Sequence, residues 1–274
     1  MKDLGFNRYQ KMFDASLDYR EVIIQASTVE DIELNKSHVF YLFNSFGFVI
    51  LQFSKVKSNP KILLDLSSVF GNIVKHNRAD SRGIVPVMVL PNYPDYLGAS
   101  NLPHPLHTDS SFTAVPPKVM ALQCEISSES GGLTKLVSCK AIYRYLCQSN
   151  PKGLESLFDS DAFAIRRDDQ FAIRPIFFIS GGLVGMAFRM NDGKANVSVK
   201  RNAEEAFNSI ITFVEDPSNQ VVFKLGVGQI LIVDNYSVLH GRSGFDAGSP
   251  RKLNRVNFDG ASKYFEELLF GFAA

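Results

Sequence analysis

The sequence has few cysteines and no long hydrophobic run, and these two features exclude several classes of protein. Three cysteines, Cys124, Cys139 and Cys147, are an odd and small number for 274 residues, which argues against the disulfide framework of a secreted domain. No apolar stretch near the N-terminus has the layout of a secretory signal. The apolar run at 221–233 is interrupted by lysine and glycine and is shorter than the ~20 residues of a membrane span. We expect a cytoplasmic protein that does not insert into a membrane.

The sequence also lacks an excess of charge of either sign. It has 29 basic and 28 acidic residues, a net charge of +1, and no basic block. This balance gives no electrostatic basis for binding nucleic acid or an anionic membrane surface. We expect a small molecule as the partner, and the sequence does not indicate an oligomeric state.

Length and composition favour a single large domain. Hydrophobic residues make up 45% and aromatic residues 12% of the chain, and β-rich folds of this length are often undivided. We expect residues 1–274 to form one domain. Residues 1–20 are expected to be an N-terminal arm, either packed on the body or frayed, and residues 155–200 a variable insert or lid.

Helix and strand signals in the N-terminal third predict the order helix, strand, helix. Segment 27–47 opens with Ser27 and Glu30 spaced as a capping box, carries apolar residues at helical spacing and ends in glycine. GFVILQF then has the β-branched and aromatic character of a buried strand. Segment 58–71, SNPKILLDLSSVFG, predicts a second helix with an asparagine cap and a proline in its first turn.

A proline-rich loop is predicted in the middle of the chain. IVPVMVL (84–90) is expected to be a strand, and it leads into PNYPDYLGASNLPHPL (91–106). Four prolines and a glycine predict sixteen residues there without regular structure. A long loop in a compact domain is usually functional.

The remainder of the chain is rich in strand signals. Ser138 is expected to cap one helix, and NAEEAFNSIITFVED to form another that ends before Pro217. Between these helices, segments such as FAIRPIFFIS and LVGMAFRM alternate with polar turns. The tail contains predicted strands at short, turn-marked intervals: VVFKL, QILIVD, SVLHG and RKLNRVNFD. This is the pattern of an antiparallel roll or sandwich.

A histidine and an aspartate follow the proline-rich loop directly. In an extended segment His107 and Asp109 project from the same face, since they are two residues apart, while Thr108 points away. Two such ligands suggest a metal site, although a His-x-Asp triplet also arises by chance. His104, held between two prolines, is expected to line the pocket or the loop and not to bind the metal.

A third ligand is available near the C-terminus. His240, in DNYSVLHGRSGF, follows a predicted strand and precedes a glycine that permits a close backbone approach. Two histidines and one carboxylate on a triangular face suit non-haem Fe(II) and leave positions open for other ligands. Considered by itself, His240 fits better as a buried histidine whose nitrogens are satisfied by neighbours; the nearby candidate ligands favour the metal role.

Two arginines in RKLNRVNFDG share one face of the last predicted strand. Arg251, Leu253 and Arg255 alternate with residues that include Lys252, so the opposite register would bury a lysine. Inward arginines need anions, and the planar guanidinium binds a carboxylate through two hydrogen bonds. The alternative is a surface strand with solvated arginines.

These segments together resemble a known family. LHTDSSF, GGLTKLV, DNYSVLHGRSGF and RKLNR, in this order, are similar to the taurine dioxygenase and clavaminate synthase-like family of Fe(II)- and 2-oxoglutarate-dependent oxygenases. The likeness extends from Phe46 to Asp259, with FNSFGFVIL and LSSVFGNI resembling the N-terminal part of the family. It implies a mainly β (α+β) fold, a double-stranded β-helix or jelly roll flanked by helices.

The resemblance implies roles for five residues. His107, Asp109 and His240 would be the iron ligands. Arg251 would pair with the distal carboxylate of the co-substrate 2-oxoglutarate. Thr134 would support the same carboxylate through its hydroxyl group, and O2 would be the second co-substrate.

Other residues are candidates for substrate binding. Arg255 falls where some relatives hold an anionic group of the substrate. Tyr93, Tyr96 and Asn101 lie in the loop before the triplet, where packing on neighbouring residues is an equal alternative. Arg189 either faces the substrate or forms a salt bridge on the exterior.

The resemblance implies an oxygenase that oxidises a small, anionic or amino-acid-like substrate by hydroxylation or desaturation. 2-Oxoglutarate would be decarboxylated to succinate and CO2. Because Asp109 keeps the carboxylate, these outcomes are favoured over halogenation. The alternatives are a cupin-like protein that binds a metal or small acid without turnover, and a regulator derived from the enzyme family. A structural metal alone would not require Arg251 and Thr134.

Overall fold

Strands dominate the fold. The computed structural model describes residues 10–53, 59–93, 95–192 and 194–274. Within these ranges the α-helices are α1 (Val29–Leu34), α2 (Lys36–Phe46), α3 (Pro60–Asp65), α4 (Ser67–Phe70), α5 (Cys139–Ser149), α6 (Pro151–Ser156) and α7 (Glu204–Glu215). The strands are β1 (Ile23–Ala26), β2 (Phe48–Phe53), β3 (Ile73–Val74), β4 (Val85–Val87), β5 (His104–His107), β6 (Val119–Ile126), β7 (Thr134–Ser138), β8 (Phe163–Arg167), β9 (Gln170–Arg174), β10 (Phe177–Ser180), β11 (Leu183–Met186), β12 (Ala195–Val199), β13 (Val221–Phe223), β14 (Gln229–Asp234), β15 (Val238–Arg242) and β16 (Lys252–Phe258).

Two sheets position the site. The larger has the strand order β1-β2-β14-β6-β16-β3, with β4 also paired to β16, and only its β1–β2 pair is parallel among the described pairings. The smaller has the order β13-β7-β15-β5 and is antiparallel throughout. A cavity between them is lined by β4, β6 and β16 on one side and by β5, β7 and β15 on the other.

Helices and small sheets flank these two sheets. One hydrophobic cluster packs the larger sheet against α1 to α4 and includes Phe43, Phe70 and Phe258. A second packs the smaller sheet against α5 and α7 and includes Ile142 and Phe207. The three-stranded sheet β12-β8-β9 and the hairpin β10–β11 complete the second cluster and occupy most of the predicted insert at 155–200.

The single helix expected at 27–47 is wrong in detail. The structure has two helices, because the chain leaves helical geometry at Asn35, which ends α1 and precedes α2. The capping box is also one residue later than expected. The Thr28 side chain accepts from the Asp31 N–H, and the Asp31 carboxylate accepts from the Thr28 N–H, so the box is not formed by Ser27 and Glu30.

The predicted loop at 91–106 contains more structure than expected, and the strand predicted at 84–90 contains less. A 3-10 turn forms at Leu97–Ala99, and β5 starts at His104 within the proline-rich segment. Pro105 is tolerated because β5 is an edge strand, where a missing N–H breaks no ladder. Only Val85–Val87 of the earlier segment pairs, with β16.

The described part of the N-terminal arm packs on the body. Phe13 is buried against Phe48, and the Gln10 amide donates to the Ser237 hydroxyl at 2.7 Å. Residues 1–9 of the predicted arm lie outside the described residues. Within the described ranges, no helix is both long and apolar enough to cross a bilayer.

Gly47 provides a test of how tightly α2 joins the smaller sheet. It ends α2 with φ of +73°, and a Cβ there would lie 2.4 Å from the Ser237 hydroxyl and 2.6 Å from Val238. We expect Gly47→Ala to lower the free energy of unfolding by a left-handed strain of about 1 to 2 kcal/mol plus about 1 to 3 kcal/mol of overpacking. Urea denaturation measures the loss.

Gly181→Ala is the matched control, because Gly181 has φ of +58° and nothing within 4 Å of its Cβ position. In this variant the free energy of unfolding should fall only by the cost of the backbone strain. Equal losses in the two variants would contradict the packing described at Gly47.

Candidate active site

Two histidines face each other across the edge of the smaller sheet. His240 on β15 is the cross-strand partner of His107 at the end of β5. The register shifts between His240 and Arg242, so the strands form a bulge next to the site. Gly241 permits this close approach, since a Cβ there would lie 2.7 Å from the His104 carbonyl oxygen.

Asp109 lies in the turn that follows β5, and its backbone is fixed by one amide side chain. The Asn235 Oδ1 accepts from the Asp109 N–H at 2.7 Å, and the Asn235 amide donates to the Asp109 carbonyl at 3.0 Å. The Asn235 amide also donates to the Pro117 carbonyl at 2.9 Å. Asn235 directly follows β14, so the larger sheet sets the position of the aspartate.

The three side chains converge on one point. Asp109 Oδ1 lies 3.5 Å from His107 Nε2 and 3.6 Å from His240 Nε2, and all three residues are buried. Nitrogen and oxygen ligands bind a metal ion at about 2.0 to 2.2 Å, so donors that share one ion lie about 3 to 3.5 Å apart. The donor set therefore fits a single divalent cation with one side left for other ligands.

The protonation of the site suits a metal. His107 Nδ1 lies 2.9 Å from the Pro105 carbonyl, which assigns the hydrogen to Nδ1 and leaves the Nε2 lone pair free. Burial, together with His240, lowers the pKa of His107 to about 4. Burial would raise the pKa of Asp109, but Arg255 and the two imidazoles outweigh it and hold that pKa well below the usual value. Neutral imidazoles and an ionised carboxylate are the forms that bind metal.

Two side chains of β16 hold the Asp109 carboxylate. Arg255 Nη1 lies 2.9 Å from Oδ1, and the Asn257 amide donates to Oδ2 at 3.2 Å. The two residues lie two positions apart on β16, so they project from the same face of the strand, and Arg255 also lines the cavity between the sheets. Partners of this kind orient a ligating carboxylate.

Arg251 and Thr134 line the same cavity as the two histidines. Each is 4% exposed, and Arg251 Nη1 has no hydrogen-bond partner within the described ranges. The Arg251 guanidinium lies 5.0 Å from the centre of the Phe245 ring, and burial lowers its pKa. A buried guanidinium with an unused N–H next to a hydroxyl group is a site for a carboxylate.

Arg242 has a structural role that sequence reasoning missed. Its guanidinium donates to the carbonyl groups of Leu97 and Ser100, and it lies 4.9 Å from the Phe245 ring. It therefore ties the loop before β5 to β15. Burial, with Arg251 nearby, lowers the pKa of Arg242 to about 9.

A second cavity, which His107 and Asp109 help to line, is rich in arginine. Its lining includes Arg78, Arg167, Arg189 and Arg255, together with His76, His104, Ser110 and Phe112. Burial and the neighbouring Arg255 lower the pKa of His76 to about 3, so His76 is neutral. The His104 ring stacks on His107 at 4.1 Å, and His104 is not one of the three converging donors.

The predicted substrate residues lie at different places in the structure. Arg255 and Arg189 line the second cavity, and Arg189 forms a short ion pair with Asp192. The Tyr96 hydroxyl group donates to Asp168, and its ring lies against arginines of that cavity. Tyr93 is 44% exposed and packs on Tyr96. The Asn101 amide donates to the Phe245 carbonyl at 3.1 Å. The substrate roles of these residues stay predictions.

Besides Arg242, the polar residues at the site that were not found from the sequence include Asn235, Asn257, Arg78 and Arg167. Asn257 continues the even spacing of Arg251 and Arg255, so the alternation contained its signal. Arg167 likewise shares the buried face of β8 with Phe163 and Ile165. Asn235 and Arg78 lie outside strands, where no periodicity applies.

Asn257 allows a direct test of the metal site. Asn257→Leu removes the hydrogen bond to Asp109 Oδ2, so we expect affinity for Fe(II) or Co(II) to fall by about 10- to 100-fold. Anaerobic titration measures this. Asn254→Leu is the control, because Asn254 is equally buried on β16 but donates to Glu125 at 2.9 Å. An equal loss of affinity in both variants would mean that Asn257 does not act through the metal ligand.

The chain is 30% identical over 164 residues to a taurine hydroxylase-like protein, SAT17, of Stachybotrys chartarum (strain CBS 109288 / IBT 7711). That match covers 55% of this chain and 40% of the relative, so the chain spans less than half the length of that protein.

Solved structures share the fold. An asparagine oxygenase bound to Fe(II), 2S,3S-3-hydroxyasparagine and succinate matches with a TM-score of 0.62 at 17% identity, covering 78% of this chain and 74% of that one. The non-heme iron oxygenase OrfP, bound to Fe, succinate and (3S)-hydroxy-L-Arg, matches with a TM-score of 0.63 at 17% identity, covering 84% and 80%. The predicted mainly β, double-stranded β-helix fold is confirmed.

The family resemblance is confirmed as well. The sequence matches the family described as "Taurine catabolism dioxygenase TauD, TfdA family" over residues 17–257, which is most of the chain. The converging His107, Asp109 and His240 lie within that range, and so does Arg251. The chain belongs to the TauD/TfdA dioxygenase family.

Proposed function

We propose that the protein is an Fe(II)- and 2-oxoglutarate-dependent oxygenase that hydroxylates, or alternatively desaturates, a small anionic or amino-acid-like substrate. One observation carries the proposal. A single cavity between the two sheets contains both the histidine ligands and a buried arginine without a carboxylate partner in the described ranges. A metal-binding protein without turnover has no need of that arginine.

His107, Asp109 and His240 would hold the iron. Iron bound there with 2-oxoglutarate and O2 would supply the oxidative decarboxylation that drives C–H oxidation. Burial lowers the pKa of His107, and the hydrogen bond from its Nδ1 to the Pro105 carbonyl leaves Nε2 free for the metal. Arg255 and Asn257 restrain the Asp109 carboxylate, so the ligand set is preorganised before the metal binds.

Arg251 and Thr134 would bind the distal carboxylate of 2-oxoglutarate. The guanidinium is fixed by its stacking on Phe245, and a side chain at Gly132 would collide with it, since a Cβ there would lie 2.9 Å from Arg251 Nε. A preorganised guanidinium loses little entropy on binding, so it contributes more to affinity than a flexible lysine would.

The substrate would occupy the second cavity, beside Asp109. Arg255 lines this cavity and would meet an anionic group of the substrate, as the family resemblance implies. The solved relatives are consistent with small polar substrates, because their structures contain hydroxylated asparagine and arginine. Holding the reacting C–H bond next to the metal is what selects the oxidised carbon.

The cellular setting is part of the proposal. Cys124 and Cys139 are buried and reduced, and Cys147 is also free, which supports a cytoplasmic location. The near-neutral net charge of +1 supports a small-molecule partner and no nucleic-acid or membrane partner. We also propose that residues 1–274 form a single domain and that residues 155–200 form a variable insert or lid.

Anaerobic titration with Fe(II) and 2-oxoglutarate tests the proposal. We expect the visible charge-transfer absorption of a chelated 2-oxoglutarate, followed by succinate formation when air and candidate amino acids are added. A cupin-like binding protein would take up metal without this absorption and would form no succinate. That result would overturn the proposal.

His240→Ala should abolish succinate formation and the charge-transfer absorption, because two ligands hold iron too weakly. The variant removes a buried imidazole, so circular dichroism must first show that it folds. Succinate formation by a folded His240→Ala protein would refute the role of His240 as a ligand.

Arg251→Gln should raise the 2-oxoglutarate concentration needed for half-maximal activity by about 30- to 1,000-fold, which corresponds to about 2 to 4 kcal/mol for an unpaired carboxylate. Lys252→Gln is the control, since Lys252 points to the other face of β16 and pairs with Glu125 at 2.9 Å. An unchanged requirement in Arg251→Gln would move the co-substrate site elsewhere.

A further inference from the structure

The second cavity contains more positive charge than the site described so far uses. Of its four arginines, Arg189 is paired with Asp192 and Arg255 with Asp109. Arg78 and Arg167 form no ion pair with any carboxylate of the described ranges. Iron would add two positive charges and 2-oxoglutarate two negative ones, so co-substrate binding leaves the charge of Arg78 and Arg167 uncompensated.

Aromatic rings hold both guanidinium groups in place. The Arg78 guanidinium lies 4.9 Å and the Arg167 guanidinium 4.8 Å from the centre of the same Tyr96 ring. Arg167 also lies 4.9 Å from the centre of the Phe112 ring. The Tyr96 hydroxyl group donates to Asp168, which fixes the ring between the loop and β8. These contacts fix the guanidinium groups without neutralising their charge.

Several N–H groups of the pair are unused. Arg78 Nε and Nη1 and Arg167 Nε are buried and have no hydrogen-bond partner within the described ranges. Arg167 is only 9% exposed. Burial and the neighbouring Arg255 lower the pKa of Arg78 to about 10, and burial with Arg189 lowers the pKa of Arg167 to about 10. The arrangement is therefore unfavourable until an anion enters.

We infer that Arg78 and Arg167 form a subsite for a second anionic group of the primary substrate. This inference rests on the proposed function, since it assigns a substrate class to the same cavity. The substrate is then a small acid with two oxyanion groups. Arg255 meets one group beside Asp109, and the other lies between Arg78 and Arg167.

The proposal excludes whole classes of small molecules. A cationic side chain would meet the arginines of this cavity and find no free carboxylate among the described lining residues, because Asp109 already pairs with Arg255. A neutral side chain would leave the buried N–H groups of Arg78 and Arg167 unsatisfied. A carboxylate, sulfonate or phosphonate satisfies the N–H groups and the charge together.

Inorganic sulfate is a probe that requires no knowledge of the substrate. The protein is loaded with Fe(II) and 2-oxoglutarate without air, so that the Arg251 site is filled, and sulfate is titrated at constant ionic strength. Thermal unfolding reports binding. We expect saturable stabilisation of the wild type, and Kd for sulfate about tenfold or more higher in Arg78→Gln and Arg167→Gln.

Arg166→Gln is the matched control. Arg166 neighbours Arg167 on β8 but is exposed and lies against Phe171 on the opposite face. It should bind sulfate as the wild type does. Equal sulfate binding by Arg78→Gln, Arg167→Gln and Arg166→Gln would overturn the subsite, and so would the absence of any saturable effect in the wild type.

Stability without ligand gives an independent readout. Because the unpaired charges repel each other, Arg78→Gln and Arg167→Gln should melt about 2 to 4 °C higher than the wild type when no anion is present. If the two arginines had a purely structural role, both variants would melt at a lower temperature than the wild type, since the substitutions would remove packing contacts. A lower melting temperature in both variants would count against the proposal.

Pairs of amino acids identify the anion chemistry. L-Aspartate is compared with L-asparagine, L-glutamate with L-glutamine, and L-cysteate with taurine, by the change each makes in the charge-transfer absorption. We expect the two-anion member to bind more tightly, and the preference to disappear in Arg167→Gln but not in Arg166→Gln. A preference for the one-anion members would contradict the proposal.

Failure of the proposed function is distinguishable in the same experiment. If the charge-transfer absorption does not form in the wild type, the oxygenase assignment fails. The sulfate titration still tests Arg78 and Arg167 in that case. Any sulfate that binds at Arg251 does so equally in every variant, so it does not affect the comparison with Arg166→Gln.

Discussion

The antiparallel pairing of β5 with β15 is the constraint on which the site depends. It places His240 opposite His107, although 132 positions of sequence separate them. A shift of one residue would turn one imidazole to the other face of the sheet. The register is held from several sides, by Gly241 at the bulge, by Arg242 on the loop before β5, and by Asn235 on Asp109. Much of the surrounding structure therefore fixes the position of three donor atoms.

Charged side chains occupy distinct positions in the two cavities. Asp109 is the carboxylate that converges with His107 and His240, and Arg255 pairs with it at 2.9 Å. Arg251 stacks on Phe245, and its guanidinium is available to bind a carboxylate. The arginines of the second cavity lie around His107 and Asp109, where we propose that the substrate binds. Since unpaired buried cations lower stability, this arrangement is consistent with a site that is completed by its ligands.

Much of this site was visible in the sequence because strands have a period of two. Alternation correctly placed Arg251 and Arg255 in one cavity, and the spacing of short motifs identified the family. The same alternation also contained Asn257 and Arg167, whose polar character on a buried face was the overlooked signal. Helix boundaries were less accurate, since Asn35 interrupts a pattern that periodicity alone continues. Contacts made by loops, such as that of Arg78 with Tyr96, depend on tertiary packing and have no local signature.

The most direct test of the account is an anaerobic crystal structure of the protein with Fe(II) and 2-oxoglutarate. The account predicts one iron ion bound by His107 Nε2, His240 Nε2 and an Asp109 oxygen at about 2.0 to 2.2 Å, with the distal carboxylate of 2-oxoglutarate on Arg251. An ion bound by other residues, or a co-substrate whose distal carboxylate lies on Arg78 and Arg167, would contradict it.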